Sequence, residues 1–168
     1  IADNGCYALR GYINGTIKNS IFYNNSSGSI IMTQGVNQTL TISYSDIEGG
    51  ESSITKDAGD VINWSNSISS DPFFVNASSD DYSLQNYSPA IGAGTTSGAP
   101  STDIDGKTRP TPSSTNPDMG AYENSLGSPA IVVMNVTSTT DNGTYKIGDV
   151  VAITITFSEA VTVTGTPQ

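Results

Sequence analysis

Short runs of alternating apolar and polar residues occupy residues 1–70, and most of these runs are flanked by Asn, Ser or Gly. Because successive side chains of a strand point to opposite faces, this alternation predicts half-buried β-strands. Each run is too short to hold a helix as well as its strands. The runs are Thr16–Asn25 (TIKNSIFYNN), Gly28–Met32 (GSIIM), Thr39–Gly50 (TLTISYSDIEGG) and Asp60–Ser69 (DVINWSNSIS).

The runs recur at a regular spacing. SIFYNN and TISYSDI superpose at about 22 residues, and VINWSNSI follows about 20 residues later, which is a period typical of solenoids. We therefore predict that each repeat forms one coil of a right-handed parallel β-helix, with short strands stacked on the coils above and below. The superposition aligns two sets of apolar side chains, namely Ile21, Ile42 and Ile62, and Tyr23, Tyr44 and Trp64.

Residues 71–123 have a different character. Asp71-Pro72-Phe73-Phe74-Val75 places three large apolar residues after a proline, and proline interrupts ladder pairing. The last coil of a solenoid exposes unpaired backbone groups and an open apolar core, which must be covered. We expect this stretch to form the final coil and a lid over it.

Four ordered segments carry a resemblance to a known family. They are DPFFVN (71–76), DYSLQNYSPAIGAG (81–94), DIDGKTRP (103–110) and DMGAYE (118–123). In this order they resemble the C-terminal end of bacterial secreted right-handed parallel β-helix proteins of the choice-of-anchor group, over residues 17–124. The resemblance implies an exported or surface-attached protein. It leaves activity open, since the β-helix also carries polysaccharide lyases and hydrolases.

A second pattern begins after a linker at residues 125–128. Residues 129–136, 150–157 and 160–164 each predict a strand, and the phrases TYKIGD, ITITFSEAV and VTGTP resemble the opening of bacterial immunoglobulin-like repeats. A sandwich of that kind needs about seven strands and about 100 residues, so residues 129–168 are an incomplete sandwich segment. We expect this segment to complete or extend a second copy of the chain, head to tail.

Composition narrows the function classes. The chain has a net charge of −10 and no His, which disfavours nucleic acid as a partner and removes the commonest general base and zinc ligand. No run approaches the length of a membrane helix, so we predict no membrane insertion. Cys6 is the sole cysteine and is expected to be buried in a strand. The chain opens at Ile1, without Met, inside a strand-like pattern, which led us to expect a piece of a longer protein.

Four acidic residues are candidate ligands for a hard cation such as calcium. Asp103 and Asp105 flank an Asp-Gly turn, and Asp118 and Glu123 follow nearby in sequence. The alternative is that Arg109 and Lys107 pair with these carboxylates, or that the carboxylates cap turns. The Asp-x-Asp-Gly pattern lacks the downstream positions of an EF-hand loop.

Two further sets of residues are candidate carbohydrate sites. Tyr23, Tyr44 and Trp64 would stack on sugar rings if exposed, and would be core residues if buried. Nine Asn-x-Ser/Thr sequons are candidate glycosylation positions, at Asn14, Asn24, Asn25, Asn37, Asn63, Asn76, Asn86, Asn135 and Asn142.

No residues form a clear catalytic constellation. Asp46 and Glu48 lie two apart on one strand face and are the nearest approach to a carboxylate pair. We therefore expect a non-catalytic structural or adhesive module of an exported cell-surface or filament protein. The alternatives are the C-terminal part of a polysaccharide lyase or hydrolase, and a carbohydrate-binding module. Tests of the longer parent chain on polysaccharides, and a glycan array, would separate these.

Overall fold

The computed structural model describes residues 1–33, 35 and 37–165. The protein is all-β, and its only helices among these residues are two short 3-10 turns, Glu51–Ser53 and Ala77–Ser79. The chain divides into two compact units, Ile1–Pro129 and Ala130–Gln168. The strands are β1 Leu9–Gly11, β2 Gly15–Lys18, β3 Ile21–Phe22, β4 Ile30–Met32, β5 Thr39–Ser43, β6 Asp46–Ile47, β7 Val61–Ser65, β8 Phe74–Asn76, β9 Asp81–Leu84, β10 Val133–Ser138 and β11 Ile153–Phe157.

Residues 1–70 pass repeatedly through three parallel sheets in the same order. The first sheet pairs β1 with β4, the second is ordered β2-β5-β7, and the third pairs β3 with β6. Single bridges extend the first sheet, from Ile31 to Thr55, and the third sheet, from Asp46 to Ile68. Hydrogen bonds between neighbouring passes join residues 21 to 25 positions apart. We call this arrangement the stack.

The space enclosed by the three sheets is filled by apolar side chains. The second sheet contributes Leu40 and Ile42, which are 1% and 0% exposed, and the third contributes Phe22 and Ile47. The first sheet adds Ile30 and Met32. At the β7 end, Ile62 and Trp64 pack against this core but are only half-buried. The alternating inward positions therefore build one continuous core that becomes less covered towards β7.

The register of the stack differs from the predicted superposition. Ile42 pairs with Trp64 and not with Ile62, and Ile21 pairs with Asp46. The three aromatic residues that the sequence aligned are consequently not equivalent in space. Tyr23 follows β3, Tyr44 follows β5, and Trp64 lies within β7. The predicted alignment is off by four residues between the first and second repeats and by two between the second and third. Even-numbered shifts preserve the inward and outward alternation, so the pattern alone did not reveal the error.

A ladder of serines follows the corner between the second and third sheets. Asn19, Tyr44 and Asn66 all adopt left-handed backbone conformations at this corner. Each is followed by a serine, Ser20, Ser45 or Ser67. The hydroxyl of Ser45 accepts a hydrogen bond from the Ser20 N–H at 3.2 Å, and that of Ser67 accepts one from the Ser45 N–H at 3.1 Å.

Residues 71–126 pack along the side of the stack. Ile21, on the outer face of the third sheet, forms a second core cluster with Leu84, Ala90, Ile91 and Met119. Glycine is favoured at position 120 because its φ is 98°, which other residues rarely adopt, and because a Cβ would lie 2.9 Å from Ile21 Cδ1. The sequence predicts a lid over the last coil, whereas the stack residues that take part in this second cluster are Ile21, Tyr23 and Ile68, at the third sheet.

The second unit contains one antiparallel hairpin. β10 pairs with β11, with Val136 opposite Ile155 and Thr137 opposite Thr154. The predicted strand at residues 160–164 does not form, and residues 166–168 lie outside the described residues.

Cys6 is exposed and lies outside the strands, so its predicted burial is wrong. Among the residues that the structure describes, no helix has the length and apolar character needed to cross a bilayer.

Candidate functional site

The predicted acidic residues form a hydrogen-bonded cluster within residues 103–124. Asp103 is buried, and its Oδ1 accepts hydrogen bonds from the N–H groups of Asp105 at 2.9 Å and Lys107 at 2.8 Å. Its Oδ2 accepts from the Glu123 N–H at 2.9 Å. Burial opposes ionisation, but these three N–H donors and the nearby Lys107 charge hold the pKa of Asp103 below its usual value. The carboxylate therefore closes the Asp-Gly turn and ties it to the chain at Glu123.

Glu123 is the centre of this cluster. It is 2% exposed, and its Oε2 lies 2.9 Å from Arg109 Nε in a buried ion pair. The same oxygen accepts from the Asp118 N–H at 3.1 Å, and Oε1 accepts from the Thr111 N–H at 2.9 Å. Charge pairing and backbone hydrogen bonds together satisfy the carboxylate.

Asp118 bridges this cluster to the second core cluster. It is fully buried, and its two oxygens accept from the N–H groups of Gly92 at 2.8 Å and Asn124 at 2.6 Å. Burial raises the pKa of Asp118 to about 6, and the charge of Glu123 adds to that rise, while the two N–H donors and Arg109 oppose it. Asp118 thus holds the 90–94 segment against residues 118–124.

Three of the four predicted metal ligands lie in this cluster. Asp103, Asp118 and Glu123 come together, but their oxygens face backbone N–H groups and Arg109, and Asp105 is exposed. No three acidic or Cys side chains among residues 1–33, 35 and 37–165 are grouped as metal ligands would be. The calcium site stays a prediction, and the observed bonds support the alternative of ion pairing and turn capping.

The three predicted sugar-stacking aromatics do not form one stripe. Trp64 packs against the stack core, and Tyr44 occupies the left-handed corner. Tyr23 lies on the outer face of the third sheet, where its ring meets Phe74 edge to face with centroids 6.5 Å apart. All three side chains are half-buried, and they lie in separate surroundings. They therefore do not form a shared surface on which one sugar chain could stack.

Asp46 and Glu48, which the sequence predicts on one strand face, have different environments, and Glu48 lies after the end of β6. Asp46 is fully buried beneath Ser70, whose N–H donates to Oδ1 at 3.1 Å, and its Oδ2 has no partner among the described residues. Burial raises the pKa of Asp46 to about 6, with Asp71 and Glu48 adding to the rise. Glu48 is exposed and accepts from the Asn24 N–H at 2.8 Å. They do not form a carboxylate pair across a cleft.

The sequon asparagines differ in access. Asn25 is 5% exposed, and its side-chain oxygen accepts hydrogen bonds from Asn4. Glycan attachment at Asn25 would therefore require this corner to open. The remaining eight are exposed, at Asn14, Asn24, Asn37, Asn63, Asn76, Asn86, Asn135 and Asn142.

The hairpin of the second unit presents one apolar and one polar face. Cross-strand partners point to the same side of a sheet, so Val136 and Ile155 share one face, while Thr137 and Thr154 share the other. Val136 is 59% and Ile155 51% exposed, and Ile153 on the same face is 64% exposed. We call this the hairpin apolar face.

The sequence predicted the residues of the acidic cluster but missed the serine ladder and the burial of Asp46. The recurring Ser that follows Asn19, Tyr44 and Asn66 was the available signal for the ladder. Comparisons of the chain with family models, with curated proteins and with solved structures gave no match.

Proposed function

We propose that this protein is a non-catalytic structural or adhesive module of an exported surface or filament protein, and that it self-associates through the hairpin apolar face. The observation that carries the proposal is the exposure of that face, together with its polar reverse side. Isolated two-stranded hairpins are marginally stable in water and gain stability by covering an apolar face. An exposed apolar face of this kind is therefore better suited to contact with another protein surface than to contact with water.

The first unit supports the structural part of the proposal. We take the stack to be a right-handed parallel β-helix, because its three sheets are visited in a fixed order and parallel crossovers are right-handed in about 98% of cases. Stacked passes of this kind give an extended, rigid scaffold. The acidic, Ser- and Asn-rich composition suits a soluble exported surface.

The occupant that we propose for the hairpin apolar face is the β7 end of the stack in a second copy. β7 is the edge strand of the second sheet, so one side of its backbone is unpaired within that sheet. The inward residues at that end, Ile62 and Trp64, are only half-buried. An apolar face that meets an incompletely covered core end makes a heterologous contact, which propagates into a filament if it does not close into a ring.

A single charge on the hairpin tests this contact. Burial of an Ile side chain stabilises by about 1.5–3 kcal/mol, so Ile155→Glu, which also introduces a charge, is expected to weaken self-association about tenfold or more. Light scattering coupled to size-exclusion chromatography over a concentration series measures the effect on the full chain.

The adjacent residue gives the matched control. Thr154→Glu places the same charge in the same strand but on the polar face, so association should change by less than a few fold. A wild-type chain that stays monomeric at high concentration would exclude the assembly. Equal weakening by both variants would show that charge, and not the hairpin apolar face, controls association.

A further inference from the structure

A cleft of about 260 Å³ lies on the outer side of the third sheet, within the first unit. Its lining includes three aromatic residues, Tyr23, Phe73 and Phe74, and two acidic residues, Asp3 and Asp71. None of the residues that line it is Lys or Arg. The cleft thus combines aromatic rings with carboxylates and no opposing positive charge.

The cleft lies in a region of negative charge. Burial first, and then the charges of Asp71, Glu48 and Asp46, raise the pKa of the Tyr23 hydroxyl. Glu48 is fixed beside the cleft by its hydrogen bond with the Asn24 N–H. Anionic ligands would be repelled from this region, while a cation would be attracted.

The aromatic wall is held in place by local bonds. The Phe73 N–H donates to Asp71 Oδ1 at 2.8 Å, and Phe73 adopts a left-handed φ of 48°, which is unusual for an aromatic residue. Its ring packs edge to face on Tyr87 at 5.0 Å between centroids. Phe74 is held similarly between Tyr23 and Tyr82. A wall that is ordered before binding loses little entropy when a ligand enters.

We propose that this cleft binds the ammonium group of a small organic cation, such as the protonated amine of an unacetylated amino sugar. Aromatic rings attract ammonium groups through their quadrupole, and the carboxylates of Asp3 and Asp71 add charge pairing. An uncharged sugar would gain ring stacking and hydrogen bonds but neither of these electrostatic contributions. The proposal does not depend on self-association through the hairpin.

Glucosamine and N-acetylglucosamine test the proposal, because they share a ring and differ in the charged amine. In a two-dimensional NMR titration of the full chain, glucosamine should shift the amide signals of Tyr23, Asn24 and Phe73 saturably. N-acetylglucosamine at the same concentration should not. Choline forms a third arm. If it shifts the same signals more weakly than glucosamine, the sugar ring contributes, and if it shifts them equally, the ammonium group alone is recognised.

Asp71→Asn removes the charge while keeping the side-chain oxygen that accepts from Phe73. It is expected to weaken glucosamine binding about threefold to tenfold. Asp57→Asn makes the same charge change at an exposed position that does not line the cleft, and should leave binding unchanged.

Three results would overturn the proposal. Equal shifts with N-acetylglucosamine would mean that hydroxyl groups, and not the ammonium group, are recognised. Shifts spread over the acidic surface without saturation would mean unspecific charge attraction. Unchanged affinity in Asp71→Asn, in a variant whose remaining spectrum matches the wild type, would place the site elsewhere.

Discussion

The stack and the hairpin are built from similar alternating strands, yet they bury their apolar residues very differently. Ile42 in β5 is 0% exposed, whereas Ile155 in β11 is 51% exposed. β5 has a parallel partner on each side and lies against two further sheets, while β11 has one partner, β10. Alternation therefore specifies which face of a strand is apolar, but only the packing of further layers decides whether that face is covered.

Because they differ in how far their apolar residues are buried, the two units are suited to different roles. The first unit satisfies two of its buried carboxylates internally, with Glu123 paired to Arg109 and Asp118 bonded to two N–H groups, whereas Asp46 Oδ2 has no partner among the described residues. The second unit leaves the hairpin apolar face open to contact. We expect the first unit to provide rigidity and the second to provide adhesion between copies.

The largest expected effect comes from shortening one apolar residue in each unit. Ile42→Ala removes a fully buried side chain from the stack core and should lower the free energy of unfolding of the first unit by about 4 kcal/mol. Ile153→Ala, at a 64% exposed position, should change the free energy of unfolding of the second unit by less than about 0.5 kcal/mol. Urea unfolding followed by the fluorescence of Trp64, the single Trp, measures the first unit, and amide hydrogen exchange in β10 and β11 measures the second.

Equal losses in those two variants would contradict the comparison, since they would mean that Ile153 is as well packed as Ile42. The light-scattering assay separates a loss that arises from dissociation. At concentrations where the chain is monomeric, only the packing within each unit contributes.

A second prediction concerns the buried ion pair and hydrogen bonds of Glu123 in the first unit. Glu123→Gln removes the charge opposite Arg109 and turns one accepting oxygen into a donor, so it should cost about 3 kcal/mol. Asp105→Asn, an exposed change in the same acidic cluster, is the control and should cost less than about 0.5 kcal/mol. Both values follow from the same urea titration.

The same titration addresses calcium. We expect added calcium to leave the unfolding midpoint unchanged, because backbone N–H groups already occupy the oxygens of Asp103 and Asp118. A calcium-dependent rise that disappears in Asp103→Asn would instead support the predicted metal site and count against the turn-capping alternative.

The sequence predicted the all-β class correctly, because alternation and corner residues are local signals. It failed at the register, since Ile-x-Tyr, Ile-x-Tyr and Ile-x-Trp repeat at positions that are not equivalent in space. The Ser after each left-handed corner residue marks the true register, with Ser20, Ser45 and Ser67 in one ladder.

The position of residues 71–126 could not be predicted for a different reason. Apolar residues such as Phe74, Ile91 and Met119 indicate that this segment covers another surface. They do not indicate which surface it covers. That surface is the outer face of the third sheet, identified by Ile21. In the sequence, Ile21 is indistinguishable from an inward residue, because Phe22 beside it is equally apolar. A pair of adjacent apolar residues was the only indication of a two-sided strand.

A third, smaller effect concerns the carboxylate beneath that covering segment. The pKa of Asp46 is raised from 3.8 to about 6, so the folded chain holds a proton there that the unfolded chain has already lost. Its contribution to stability is present at low pH and declines as the pH rises from about 4 to about 6. Asp46→Asn should therefore raise the free energy of unfolding at pH 8 by about 2 kcal/mol and change it little at pH 4.

Urea midpoints between pH 4 and 8 measure this change. Asp118 titrates in the same direction over the same window, so the slope of stability against pH should be reduced in Asp46→Asn and not abolished. A slope identical to that of the wild type would show that Asp46 is ionised or solvated in the folded chain. The hairpin holds no comparable carboxylate, since the described residues of β10 and β11 are uncharged.

The smallest expected effect tests the serine ladder, which the hairpin lacks. Ser45→Ala removes a buried hydroxyl that donates to the Ser43 carbonyl at 3.0 Å and accepts from the Ser20 N–H, and leaves both backbone groups without that partner. The loss should be about 1 kcal/mol. Ser67→Ala, at the less covered end of the ladder, should cost less, because water can replace the lost hydroxyl there. Hydrogen exchange at the Ser20 and Ser45 amides distinguishes the two variants: each should speed exchange at the amide that its hydroxyl had bonded, and equal stability losses with no site-specific exchange would mean that the hydroxyls act only as small packing groups.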